Sequence, residues 1–439
     1  MGQLQNVSWR TVGYSALGTA LAAASVIAVF NSDGVRPTAL TSSSATKWLV
    51  DNQNRQVVLV DGLAGNVVAK VQLEPDTDTG DDQEAVQGAG GAFLIDTKQA
   101  AVRTISTSKL QLGTPQTVAI LSENGAKFGA GPSGLTVVSP ETQEAFVVAV
   151  DGVARTVEKI TPSTSSRVAS DGSIWLFTKS TATHVTVDKP NVVENLRNPP
   201  TDATTLGGRA VTLSTSLNSV IEWPGGGRVP IDSIPNASQA KLQEPGDEAS
   251  CVWLAVDDNL ACVGPDRIEQ KLQIDGLAFN TGAGDRLAIS GSAAVVVRGG
   301  TNQIQRIDLE NHSMASDATK ASVLPGAHLN ITATGSLVWI DDTTSTDAWV
   351  VHRLGINFIN KDDQAADLLD AQGQPISEGV TDGTGGESGG NASGDVETDD
   401  DHRDNNGRED PPVAVDDSVT ARAGNAITIP VTGNDYDPD

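Results

Sequence analysis

The side chains able to do chemistry in this chain are thinly spread. Five histidines, His184, His312, His328, His352 and His402, stand apart, none at the spacing of a paired metal site. Gly386-Glu387-Ser388-Gly389-Gly390 matches a nucleophile elbow in letters only. An elbow needs a strand before it and a helix after it, and here the neighbours are Gly, Ser and Asp. Asp76, Asp78, Asp81, Asp82 and Glu84 crowd one loop, but the alternation of a cation loop breaks at Gly80, and Gln87 stands where a bidentate Glu would close it. That cluster reads as a solvated loop. Phosphate-cradling and dinucleotide-binding loops are missing. Most of the seven tryptophans sit inside strand-like runs and read as core. No catalytic residue is assigned, and the expectation is a chain that is not an enzyme.

The two cysteines carry a more definite message. Cys251 and Cys262 flank two apolar runs joined by Asp257-Asp258-Asn259, the pattern of a β-hairpin with a thiol near each end. Antiparallel neighbours come within disulfide reach, so the reading is a Cys251–Cys262 bridge formed in an oxidising compartment.

That compartment follows from the N-terminal stretch. Residues 11–30, Thr11 to Phe30, hold no charge and suffice to cross a hydrocarbon core of about 30 Å at 1.5 Å per residue. Two readings stay open. One is an uncleaved transmembrane anchor, with residues 1–10 cytoplasmic because Arg10 and the terminal amine precede it. The other is a signal peptide cleaved after a small-x-small site near Ala24, which gives a secreted chain. Both put the bulk outside the cytoplasm, with the membrane crossed at most once.

Composition limits the partners. The formal charge is −27, with acids outnumbering Lys and Arg 56 to 29, which disfavours nucleic acid. Fifteen acids and three bases fall within 361–410 alone.

Past a Ser/Thr-rich stalk at 31–46, one texture recurs: an apolar run, a polar turn, a second apolar run. It returns near Trp48, Phe93, Leu135, Trp175, Val211, Trp253, Leu287 and Trp339, about 42 residues apart. A four-stranded antiparallel blade takes roughly 40–50 residues and must stack on neighbours to bury both faces. The fold class is therefore all-β: a seven- or eight-bladed β-propeller-like domain over 47–360, preferred to a pair of β-sandwiches. Its inner-strand runs are rich in Ala, Val, Leu and Ser, so no convergent set of acid, base and Arg is assembled at their ends. Residues 361–410 combine Gly, Ser and repelling carboxylates and read as a disordered acidic linker.

Residues 411–439 open with Pro411-Pro412-Val413-Ala414-Val415-Asp416-Asp417, continue to Gly424 and Val431, and end Asn434-Asp435-Tyr436-Asp437-Pro438-Asp439. This resembles the start of a cadherin-like or bacterial Ig-like tandem repeat, a β-sandwich of about 90–100 residues of which 29 are present. The resemblance implies the N-terminal part of a large bacterial surface protein of the actinobacterial type. It also implies calcium at Asp416, Asp417, Asn434, Asp435, Asp437 and Asp439, whose oxygens suit a hard cation. The expected function is a membrane-anchored surface protein whose propeller binds a protein or a cell-envelope polysaccharide, for adhesion or envelope interaction. The alternative is an extracytoplasmic hydrolase or lyase with its site at the propeller axis.

Overall fold

Polar turns between paired apolar runs close by a shared device. Asp51 Oδ1 accepts from the backbone N–H of Gln53 and Asn54, and Asp96 from that of Gln99. Asp342 accepts from Thr344, and Thr178 Oγ1 from Thr181. Asp and Thr side chains that satisfy their own turn release the flanking apolar residues to pair as strands. In the computed structural model these hairpins fall in eight separate sheets, at the middle of six of them, while those at Trp48 and Leu287 are the first two described strands of theirs. The model describes residues 45–374, apart from 74–82, 150–153, 187–190, 316–320, 364–367 and shorter internal stretches.

The sheets form an eight-bladed β-propeller, and each expected hairpin falls in its own blade. Packing explains why the ring closes. The buried apolar residues divide into eight clusters, one for each interface between successive blades. Trp48 lies in the cluster between blades 1 and 2, Trp175 between 4 and 5, Trp223 between 5 and 6, and Trp339 between 8 and 1. The rival pair of sandwiches does not occur.

In seven blades the first strand lies nearest the axis: Gln83–Gly88, Lys127–Gly131, Ser165–Val168, Asp202–Leu206, Lys241–Leu242, Arg286–Ser290 and Leu329–Thr334. Blade 1 differs. Its first described strand, Thr46–Asp51, runs antiparallel to the axial strand of blade 2, because Trp48 meets Gln87 while Asn52 meets Gln83. It thus has the direction of a second strand, and among the described residues blade 1 has no axial one. Side chains satisfy the edge that such a strand would pair. Gln87 accepts from the Trp48 N–H at 3.0 Å and donates to the Thr46 carbonyl at 3.2 Å, while Lys361 Nζ donates to the Val50 carbonyl at 2.8 Å.

The C-terminal end of the ring completes blade 1 from outside. Leu368–Leu369 pairs in parallel with Asn66–Gln72, and Lys70 Nζ donates to the Asp363 carbonyl. Lys361 is fully buried. Among the described residues the propeller runs from Thr46 to about Gln374, and the expected linker at 361–410 begins later than its composition implied. Lys361 and the Leu368-Leu369 pair are absorbed because they close the ring.

Thr11–Phe30, nearly all of the stalk, most of the linker and the 411–439 repeat with its calcium set lie outside the described residues. Among the described residues no helix is long and apolar enough to cross a membrane.

Candidate functional site

The axial strands begin with polar residues, and their starts converge. Lys47, Glu84, Lys127, Arg167, Glu244, Arg286 and Asn330, from seven of the eight blades, line one cavity of about 470 Å³. Phe128, Ile331 and Trp339 supply apolar wall. Toward the other end the same strands carry Gly88 and Gly131, and the strands come too close for side chains. A Cβ on Gly88 of blade 2, or on Gly172 of blade 4, would overlap the Ala130 carbonyl group of blade 3 between them. Bulk and charge are thus confined to one end of the axis.

Two of the four cations are already engaged. Arg286 Nε bonds Glu244 at 2.6 Å, and its Nη1 donates to the Leu329 carbonyl. Arg167 donates to the carbonyls of Ala203 and Ser166 and lies 3.4 Å from Asp202, whose carboxyl burial pushes up. The other two are not. Among the described residues neither Lys47 nor Lys127 has a hydrogen bond or ion pair; Lys47 lies 5.8 Å from the centroid of the Trp339 ring.

Glu84 is placed between them. Asn330 Nδ2, on blade 8, donates to Glu84 Oε1 on blade 2 at 2.7 Å, across the position where blade 1 has no axial strand among the described residues. Burial and the negative charge of Asp341 push the Glu84 carboxyl up to about 7, against the pull of Lys47, Lys127 and the Asn330 bond. Burial pulls Lys47 down to about 8, although Asp341 and Glu84 both favour its charged form. Asp341 itself is tied to Lys361 Nζ at 2.9 Å, and Lys361 also donates to the Asp342 carbonyl. An acid and a base that both exchange protons near neutrality therefore share one cavity, an arrangement capable of proton transfer to a bound molecule.

Sequence reading missed this site. It sought the convergent set in the apolar runs, which in six of the eight blades are the second and third strands. The axial strands are short, and charges near their starts, such as Glu84, Lys127 and Arg286, look like ordinary loop charges. Glu84 had been placed in the solvated acidic loop at 76–84; it stands instead in an axial strand. Asp76, Asp78, Asp81 and Asp82 lie outside the described residues. Cys251 and Cys262 are joined in the structure with Cα atoms 5.5 Å apart. Cys262 pairs in register with Trp253, so the bridge crosses the hairpin of blade 6 diagonally. Asp416, Asp417, Asn434, Asp435, Asp437 and Asp439 are not among the described residues. Within those described, no group of three or more His, Cys, Asp or Glu is placed to hold a metal ion.

No family model matches the chain, and no curated protein matches it. Solved structures do resemble it. A virginiamycin B lyase from Staphylococcus aureus is 14% identical, with 64% of this chain and 96% of that one covered, at a TM-score of 0.41. The dihydro-heme d1 dehydrogenase NirN is 10% identical over 75% of this chain and 76% of its own, at 0.45. AztD from Citrobacter koseri is 12% identical over 72% and 98%, also at 0.45. At these identities the likeness is one of propeller fold. The expectation that the chain is not an enzyme is corrected by the site itself. That expectation rested on finding no convergent titratable set, and the axial cavity holds one.

Proposed function

We propose that the propeller is the ligand-binding part of a membrane-anchored, extracytoplasmic protein, and that its ligand enters the axial cavity. The observation that carries this reading is the convergence of Lys47, Glu84, Lys127, Arg167, Glu244, Arg286 and Asn330 on one cavity. Structural charges are normally paired, whereas two of these lysines, the half-buried Lys47 and the exposed Lys127, have no side-chain partner among the described residues. A volume of about 470 Å³ lies in the range of roughly 300–1,000 Å³ typical of small-molecule sites. It takes one small molecule or the end of an envelope polysaccharide. Thr11–Phe30 supports the anchor, and the Cys251–Cys262 bridge suits an oxidising compartment. The 411–439 resemblance supports a repeat stalk, with calcium as its proposed ion.

Ligand-observed NMR with a fragment set tests the site. Ser166 lines the cavity and is half-buried, so Ser166→Trp fills it with little cost to the core. Fragments that bind the native chain should lose their signal in this variant. Fragments that bind both chains equally would place the binding surface elsewhere.

A further inference from the structure

The inventory of charge inside the cavity, compared with the whole molecule, says what kind of ligand it takes. The chain carries −27 overall, yet the cavity wall carries four cations, Lys47, Lys127, Arg167 and Arg286, against two carboxylates, Glu84 and Glu244. Glu244 is committed to Arg286. Arg167 is committed to Asp202 and two carbonyls. What is left is Lys47 and Lys127 with Glu84 beside them, and each ammonium has three donors with no acceptor among the described residues. An unpaired, partly enclosed ammonium such as that of Lys47 is costly, and a chain with nearly twice as many acids as bases could have paired both it and the exposed Lys127 beside it. Leaving them open is the signature of a site whose acceptor arrives from outside.

Resting on the reading of the cavity as a binding site, we infer that its ligand is a small molecule bearing an anionic group, held between Lys47 and Lys127 with its apolar part against Phe128 and Trp339. Glu84 makes the site proton-sensitive. It faces Lys47 from blade 1, Lys127 from blade 3, Asp341 and Asn330 from blade 8, with Lys361 behind Asp341. When Glu84 is ionised it competes with the ligand for the two ammonium groups. When it is protonated it releases them and can donate a hydrogen bond to the anion. Its carboxyl titrates at about 7, so anion binding should weaken as pH rises through neutrality.

A matched pair of fluorescent probes separates anion recognition from apolar capture. 1-Anilinonaphthalene-8-sulfonate carries a sulfonate that stays charged between pH 5 and pH 8; N-phenyl-1-naphthylamine is the same skeleton without it. On the full chain the sulfonate should bind saturably and the neutral probe roughly tenfold or more weakly, the difference expected for charge-assisted contacts. Lys127→Met, at an exposed position, should cost a similar factor, as should Lys47→Met. Lys179→Met, on an exposed turn of blade 4, should cost nothing. Sulfonate affinity should fall from pH 6 to pH 7.5, and Glu84→Gln should remove the part of that fall set by the carboxyl, leaving the further loss toward pH 8 that follows from Lys47, pulled down to about 8. Equal binding of both probes, lost in Ser166→Trp but untouched by the lysine variants, would overturn the anion inference and leave the cavity as the binding site. Sulfonate binding that survives Ser166→Trp, or no saturable binding at all, would overturn both.

Discussion

Glu84 and Lys47 have opposite effects on stability, and the signs follow from the directions of their shifts. Glu84 is raised from 4.5 to about 7, so the folded chain holds a proton there that the unfolded chain has lost. Its contribution is fully present below pH 4.5 and disappears as pH rises through about 7. Lys47 is lowered from 10.5 to about 8; its contribution is present above pH 10.5 and is lost as pH falls through about 8. The pair therefore places its least favourable contribution between about pH 7 and 8. Thermal melts of Glu84→Gln against the native chain should show the native midpoint falling between pH 5 and 7.5, and the variant lacking that part of the fall. An unchanged slope would mean that the carboxyl is solvated. Little of this was legible in the sequence. Glu84 ends a run of acids and looks like one of them, because nothing local reveals that its strand faces an axis enclosed by residues up to 246 positions away.

Among the elements, the ring closure is the most exposed to test. Lys361 is fully buried and bonds Asp341, the Asp342 carbonyl of blade 8 and the Val50 carbonyl of blade 1. Lys361→Met would leave the Asp341 charge and two carbonyls without their donor. Breaking a buried pair in this way costs about 3–5 kcal/mol, which urea unfolding can read directly. Adding Asp341→Asn should recover part of the loss; a double variant as unstable as the sum of the singles would show that the two do not act as a pair. Leu368–Leu369 gives a second handle. A chain ending at Lys361 keeps the buried ammonium but lacks the strand paired with Asn66–Gln72, and it should melt below one ending at Gln374. The eight hairpins were legible because an apolar pair about a polar turn is a local pattern. Closure was not, since Lys361 and Leu368-Leu369 are few, lie at the head of an acidic stretch and act only across the ring. That the described part of blade 1 starts on a strand with the direction of a second one was equally hidden, because Trp48-Leu49-Val50-Asp51 reads like any other first half of a hairpin.

At the scale of the whole molecule, a ring of eight blades buries its apolar surface only in interfaces between neighbours, and one charged cavity is left where the axial strands meet. The Cys251–Cys262 bridge within blade 6 is local to one hairpin. Closing a separation of 11 residues should contribute about 2–3 kcal/mol, so the Cys251→Ser, Cys262→Ser variant should unfold earlier in urea while its ring and cavity persist. Period and composition made the propeller legible from the sequence; they carried no information about which strand of each blade faces the axis, and therefore none about the site. The central claim is that this end of the axis accepts an anion. Crystals of the protein soaked in bromide test it most directly, because the anomalous signal reports where an anion settles. A strong bromide peak is expected inside the axial cavity, within contact of Lys47 and Lys127. Bromide found only on the outer rims of the blades, with the cavity holding none, would contradict it.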